Sequence, residues 1–493
     1  MAELLENVLM LCCRQGLLPK PGWALSRHLR SNLQPSAAVK IVAEQLGAED
    51  AAPVLLATTH IKLVALTLEG NFEDFHLPHV PTTLTSLHTW PDDESHAYLA
   101  VAQAIISTTP PTVRELRTDV PLARFTPASL RRLSGLRSLR LDNVNMAING
   151  EPRQFADLPA LRGCMALPPA LESLHLKCYV MDGSEPLLRA LPATLSSLQL
   201  SWCRFYATPS GGGGGGSGGG GGSSVFRLPP LPEGLTSLTI DPMIPAVGVS
   251  VDVTAAPLPP SLTYLHLAND HGPVVLQQLP QRLRQLVLFC TELTYTLPSP
   301  LPPALLDLNL DLQDYEHALP PLPPALVKLQ LWNADRPLPA LPPTLLHLAL
   351  NRCQHAAPAL LPPALTHLSL HQCRRGDGAV IEALPDTLTT LELSYNYQQV
   401  LRLRSLPPAL EVLKWLEHGA GDGGGSDAPT PVLPPLRALP RLRELRVGNV
   451  AFAAGDALRA SALRHVRLDD PVTALPPLDG PAHVLLKAEG CTL

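Results

Sequence analysis

The chain has 493 residues, with 55 Pro and 33 Gly against only 8 Phe and 8 Tyr, and leucine dominates it visibly. Charged residues make up 16%, the net charge is −6 and the pI is about 6.3, a balance that gives no electrostatic reason to expect nucleic-acid binding or a polybasic membrane contact. So few aromatics do not fill the thick core of a large compact domain, and a thin core of one residue type points to stacked repeats.

The first residues, Met1-Ala2-Glu3-Leu4-Leu5-Glu6, are acidic, and no basic residue precedes Arg14, unlike a secretory signal. No run of about 18 apolar residues follows that would span a membrane. The expected compartment is the cytoplasm, with the nucleus as the other possibility. Within residues 1–50, Leu4, Leu5, Val8, Leu9 and Cys12 fall at helical spacing, and the stretches from Trp23 to Leu33 and from Ser36 to Leu46 read as two further helices. The expectation is a small helical N-terminal cap that shields the apolar edge of the first repeat. The alternative is a degenerate F-box-like bundle that recruits a ubiquitin-ligase complex. It shares the apolar spacing but lacks the opening Leu-Pro and the later aromatic.

From about residue 60 to 470 one element returns, L-x-x-L-x-L, usually led by L-P-P. Leu301-Pro302-Pro303-Ala304-Leu305 runs into Leu308 and Leu310, and Leu322-Pro323-Pro324-Ala325-Leu326 runs into Leu329 and Leu331. Taking the first apolar residue of each copy as an anchor gives 17 anchors: Leu63, Leu84, Val113, Leu136, Leu171, Leu195, Leu235, Leu262, Leu283, Leu305, Leu326, Leu345, Leu365, Leu388, Leu410, Leu442 and Leu463. Between Leu262 and Leu410 the steps are 21, 22, 21, 19, 20, 23 and 22 residues, a series in register that chance does not produce. The leucines three and five residues after the anchor share one face of a short strand and point inward. Residues two, four and six after it point the other way, onto the expected concave surface. Parallel strands about 4.8 Å apart would stack into an arc on the order of 80 Å. Proline fixes φ and donates no hydrogen bond, so the convex return is expected to be extended or polyproline-like. Two repeats are swollen by Gly-rich insertions, at 208–224 and 418–430, expected to be disordered loops; residues 471–493 are expected to be a C-terminal cap or tail.

This pattern resembles the leucine-rich-repeat superfamily, in its short L-P-x-x-L-x-x-L-x-L form, similar to the repeats of secreted bacterial effectors and to F-N-I-P-type repeats. The resemblance covers about residues 60–470 and implies a horseshoe solenoid, classed as α/β, with parallel strands on its concave face. Some of those effectors are ubiquitin ligases. No such catalytic domain follows the repeats here, so the resemblance implies no enzyme activity.

Five of the nine cysteines sit just past a strand: Cys203, Cys353 and Cys373 eight residues after an anchor, Cys178 and Cys290 seven after. This is expected to be a structural use of a small buried side chain. Cys12-Cys13 is adjacent, no paired C-x-x-C exists for zinc, and the odd count disfavours a disulfide framework. The sequence G-x-S-x-G at Gly215 to Gly219 lies in a tract of small residues with neither strand nor helix beside it, so it is no hydrolase elbow. His347 and His367 are neighbours two after their anchors, with His371 six after. They are expected to point in parallel rather than converge on a metal. No cofactor motif is present.

Two surface features remain. Trp90, Tyr264, Phe289 and Trp332 occupy outward positions. The last three fall within four consecutive repeats, beside Lys328, Asp307 and Asp311, the composition of a binding hot spot. Lys414, Arg446 and Arg467 lie four after the last three anchors, flanked by Arg443 and Arg464 and interrupted by Glu444. This strip suits an acidic or phosphate-bearing partner. The sequence thus predicts a non-catalytic module that binds a protein through the concave face, with no nucleic acid, membrane or cofactor involved. The alternative is a ligase adaptor recruited through residues 1–50.

Overall fold

The computed structural model describes residues 37–42, 63–69, 84–90, 107–118, 132–142, 167–182, 186–206, 224–242, 249–252, 257–269, 274–276, 278–290, 297–313, 315, 317–353, 361–373, 383–394, 405–416, 432–448, 450–452, 458–459, 463–469, 478–479 and 485–489. The chain divides into two compact units, Met1–Leu262 and Thr263–Leu493.

Alternating apolar and polar residues make each repeat's strand, and the strands pair parallel in one register. In the first unit these are β1 (Ala37–Val42), β2 (Leu63–Glu69), β3 (Ser86–Trp90), β4 (Glu115–Thr118), β5 (Ser138–Asp142), β6 (Ser173–Lys177), β7 (Ser197–Tyr206) and β8 (Ser237–Pro242). Leu66, Leu87, Leu116, Leu139, Leu174, Leu198 and Leu238 stand opposite one another in turn, so a single leucine row runs through the unit.

The second unit repeats the arrangement with β9 (Tyr264–Asn269), β10 (Gln285–Cys290), β11 (Asp307–Asp311), β12 (Lys328–Trp332), β13 (His347–Asn351), β14 (His367–His371), β15 (Thr390–Ser394), β16 (Val412–Leu416), β17 (Glu444–Gly448), β18 (His465–Asp469) and β19 (Leu485–Glu489). From Leu265 to Leu486 its row is leucine except for Val466. Strands β11, β12 and β13 alternate half-open and buried residues as expected of a one-sided parallel sheet. Leu326, Leu329 and Leu331 have no exposed surface. Each such leucine contributes roughly 1.5–3 kcal/mol of burial.

The L-P-P segment does two things. Between strands, residues 317–325 form no helix or strand, whereas Pro186–Arg189 in an earlier return forms a short helix. Just before many of the strands, a proline carbonyl accepts a hydrogen bond from the anchor N–H, as from Leu305 to Pro302 (3.2 Å), Leu326 to Pro323 (3.1 Å) and Leu345 to Pro342 (3.1 Å); Leu136 and Leu442 donate to Leu133 and Leu439 instead. The second proline then sits at the second position of a four-residue turn, where its fixed φ is already correct. Hydroxyls bolt successive turns together: Thr344 Oγ1 lies 2.7 Å from the Pro324 carbonyl and 2.9 Å from that of Leu326, and Thr387 repeats this on Pro363 and Leu365.

After each strand the chain turns sharply. Cys178, Trp202, Asn333, Arg352 and Gln372, each seven after its anchor, have φ between 50° and 60°. This left-handed conformation aims the backbone N–H at the end of the next strand: Asn333 donates to the Asn351 carbonyl, Arg352 to His371 and Gln372 to Ser394, each at 2.8 Å. One residue later, the thiols of Cys203, Cys353 and Cys373 are buried and donate to backbone carbonyls, Cys353 to Asn351 (3.3 Å) and Cys373 to Leu350 (3.4 Å). Burial pushes the Cys178 thiol up to about 11 and the Cys203 thiol higher still, as suits structural rather than reactive sulfur.

At the N-terminal end one expectation changes. Within the helix read from Ser36 to Leu46, residues Ala37–Val42 are instead strand β1, paired parallel with β2. Val39 and Ile41 stand opposite Leu66 and Leu68, so β-branched residues hold the register positions that leucine holds elsewhere. The remainder of the expected N-terminal cap lies outside the described residues, as do 208–223 and 418–430 of the Gly-rich insertions. Within 471–493, the segment expected to cap the array, Leu485–Glu489 forms one more strand on β18. The result is a leucine-rich-repeat ladder of parallel strands in each unit.

Candidate functional site

The outward residues of the second unit form three columns, two, four and six after the anchors. Strand register fixes who neighbours whom, and side-chain size decides who touches. In the last column Phe289 of β10, Asp311 of β11 and Trp332 of β12 follow one another, with Asp311 directly opposite Trp332. The two rings reach over the intervening strand and meet edge to face, their centroids 6.4 Å apart at 71°. Trp332 remains 39% exposed. His266, four after Leu262, packs on the other side of Phe289 with a centroid separation of 6.1 Å. Burial lowers the His266 pKa, which favours the neutral, aromatic form of its ring.

Of the residues singled out by sequence, Phe289 and Trp332 are therefore brought together. Tyr264 stands in a different column, opposite Gln285, and His266 takes the third place in the ring cluster. The sequence reading passed over His266 because a single histidine on a polar face gives no signal. It stands in a different column from Phe289, and only the ring contact reveals it.

Between the rings, Asp311 Oδ1 accepts from Asn333 Nδ2 (2.8 Å) and from the Gln313 backbone N–H (3.1 Å). At the other end of β11, Asp307 Oδ2 lies 3.6 Å from Lys328 Nζ and accepts from Gln285 Nε2 (3.2 Å). Burial raises the Asp307 pKa, and Lys328 partly offsets this. Two acceptor oxygens on this strand, Asp307 Oδ1 and Asn309 Oδ1, are buried with no hydrogen-bond partner. Of these acceptors, only Asp311 shares the column of the Phe289 and Trp332 rings.

His347 and His367 stack in register, ring centroids 4.2 Å apart and tilted by 32°. They lie side by side rather than converging. His371 stands opposite Asn351 in the outermost column. Burial, then His367 and Lys328, lower the His347 pKa. Among the described residues no three of His, Cys, Asp or Glu are grouped to hold a metal.

The C-terminal strip is a true row. Lys414, Arg446 and Arg467 are successive partners, and Lys487 of β19 extends it by one. Sequence missed Lys487 because its repeat has His483 where a leucine anchor would stand. Lys414 is already paired with Glu392 (2.9 Å) and, more loosely, with Glu444 (3.8 Å), so the interrupting glutamate serves as a neutralising partner.

The first unit holds a polar knot that sequence did not flag. Asp142, six after Leu136, is 1% exposed and is clamped by Arg140 Nε (2.8 Å) and Arg117 Nε (3.3 Å). A buried carboxylate needs such compensation. Beside it, burial and then Arg140 push His175 down to about 4, and its Nε2 has no hydrogen-bond partner. Lys177 lies 5.1 Å over the exposed Trp202 ring. The Asp142 carboxylate is paired within the knot, which reads as a structural clamp.

No family profile matches the chain, and comparison with curated proteins gave no match. Solved structures do resemble it. YopM from Yersinia enterocolitica WA-314 is 21% identical with a TM-score of 0.38, covering 98% of this chain and 100% of its own. CroV588, described as a novel circular leucine-rich-repeat structure, is 18% identical with a TM-score of 0.40, covering 88% of this chain and 68% of its own. TLR13, solved with ssRNA13, is 16% identical with a TM-score of 0.42, covering 92% of this chain and 63% of its own. No helix among the described residues is long and apolar enough to cross a membrane.

Proposed function

We propose that this leucine-rich-repeat chain is a non-catalytic protein-interaction module whose partner docks on the outward strand face of the second unit, the face expected from sequence to be concave. The observation that carries the reading is the Phe289–Trp332 ring pair on that face, with Trp332 left 39% exposed. Aromatic side chains fixed by their neighbours and ringed by polar groups are the usual centres of protein–protein binding energy. His266 and Lys328 frame the pair, Tyr264, His347 and His367 extend the surface, and the Lys414–Arg446–Arg467 row is a secondary contact.

The test is affinity purification with the wild type beside a Tyr264→Ala/Phe289→Ala/Trp332→Ala variant, after circular dichroism and thermal melting establish that the variant folds. The expected result is loss of a specific partner with the fold intact. Retention of every partner by the folded variant would remove the ring cluster from the reading and move the search to the basic row and residues 1–50.

A further inference from the structure

Strand β11 carries two outward carboxylates, and they are treated differently. Asp307 has drawn a cation, Lys328 at 3.6 Å, together with the Gln285 amide. Asp311 is held only by neutral donors, Asn333 Nδ2 and the Gln313 N–H, and among the described residues no ion pair includes it. This uncompensated carboxylate is the one that sits between Phe289 and Trp332. The rings are not loose: Phe289 is wedged between His266 (6.1 Å) and Trp332 (6.4 Å). The seat therefore combines a negative charge with an exposed indole.

We infer that this seat takes an arginine side chain from the partner's basic segment. The inference rests on the docking reading above and gives its partner a chemistry. An indole face attracts a cation, and it attracts guanidinium best because that group is planar, weakly hydrated and stacks. A carboxylate offers guanidinium charge-assisted hydrogen bonds that no neutral residue matches. Lysine would gain the ion pair but less of the stacking. An acidic segment would bring like charge onto Asp311.

The test uses the full chain and fluorescently labelled, capped tetra-arginine, tetra-lysine and tetra-glutamate peptides, followed by anisotropy at low salt. Asp311→Asn is isosteric and keeps an oxygen for Asn333 and Gln313, so the turn is preserved while the charge is removed. Trp332→Ala removes the ring. Glu411→Gln, which takes away a half-buried carboxylate paired with Arg443 at 3.3 Å, controls for general loss of negative charge. The expected result is saturable binding of tetra-arginine, several-fold weaker binding of tetra-lysine, and roughly tenfold or greater loss in Asp311→Asn and in Trp332→Ala but not in Glu411→Gln. Equal binding by wild type and Asp311→Asn, equal binding of lysine and arginine peptides, no binding at all, or preference for tetra-glutamate would each overturn it. The two readings fail separately. If the triple-alanine variant loses the purified partner while Asp311→Asn keeps it at full affinity, the docking surface stands and the arginine seat falls. If the triple variant keeps every partner, the docking reading falls whatever the peptides do.

Discussion

The two units follow one rule with different strictness. In the second, the inward residue five after the anchor is leucine from Leu267 through Leu393, and the steps between anchors hold to within a few residues as far as Leu410. In the first, the steps reach 40 residues, and the same inward position holds Thr89 and Thr118 on consecutive strands. Yet β7 and β8, the strands flanking that longest step, still pair Ser197 with Ser237 and Leu198 with Leu238. The strand is fixed, and the return path absorbs the variation. The physical reason is that lengthening an ordered strand breaks its row, whereas doubling a flexible loop costs only about 0.6 kcal/mol of closure entropy. Polar residues in the inward row are tolerated on one condition: they must satisfy each other. Thr89 Oγ1 donates to Thr118 Oγ1 at 2.7 Å, both side chains fully buried.

The comparison can be pressed by mutation. The largest effect is expected in the strict unit: Leu331→Ala, at a position with no exposed surface, should cost about 3–4 kcal/mol in urea unfolding. A cost below about 1 kcal/mol would mean that the second unit's core is not close-packed. Next come two glycines at equivalent turn positions of the first unit. A Cβ at Gly135 would lie 2.8 Å from the Pro111 carbonyl oxygen, whereas one at Gly234 would lie 3.5 Å from that of Ala193. Gly135→Ala should therefore destabilise by roughly 1–3 kcal/mol, and Gly234→Ala should shift stability by no more than about 0.5 kcal/mol. Similar thermal shifts for the two would show that the close approach relaxes freely. The threonine pair comes last, with an expected cost below that of Leu331→Ala. Thr89→Val removes one partner and should cost about 1–2 kcal/mol, while Thr89→Val/Thr118→Val should recover most of that loss. A double variant worse than the single one would show that mutual bonding is not what admits these hydroxyls to the core.

The same contrast explains how far the sequence could be read. The anchors were legible because leucine repeats at a fixed period, and every anchor from Leu63 to Leu463 heads a strand in the structure. Strand β1 was not, because Val39 and Ile41 stand where leucines would and no leucine precedes them at the anchor position. Strand β19 escaped for a similar reason, with Ala488 in register with Leu468 and His483 in sequence where a leucine anchor would stand. In both cases the neighbouring strand supplies the order that the segment's own spacing does not declare. For the candidate site, periodicity placed Phe289 and Trp332 in one column. It could not say that two rings bridge an intervening strand, or that His266 completes the cluster. Those contacts depend on side-chain length and rotamer, which a repeat pattern does not encode. Nor could charge counting distinguish Asp307, which has a lysine, from Asp311, which does not.

The constancy of the strand register acts as a ruler. Its columns are graduated about every 4.8 Å, whereas an extended peptide laid across them offers side chains on one face about every 6.7 Å. The two scales drift apart and coincide again only after about seven strands. A strand-like partner can therefore seat one anchor fully and its neighbours only partly, like a vernier with a single matched line. Affinity concentrated at a single seat, with selectivity set by which side chain fills it, is what such a mismatch of scales imposes on an extended ligand.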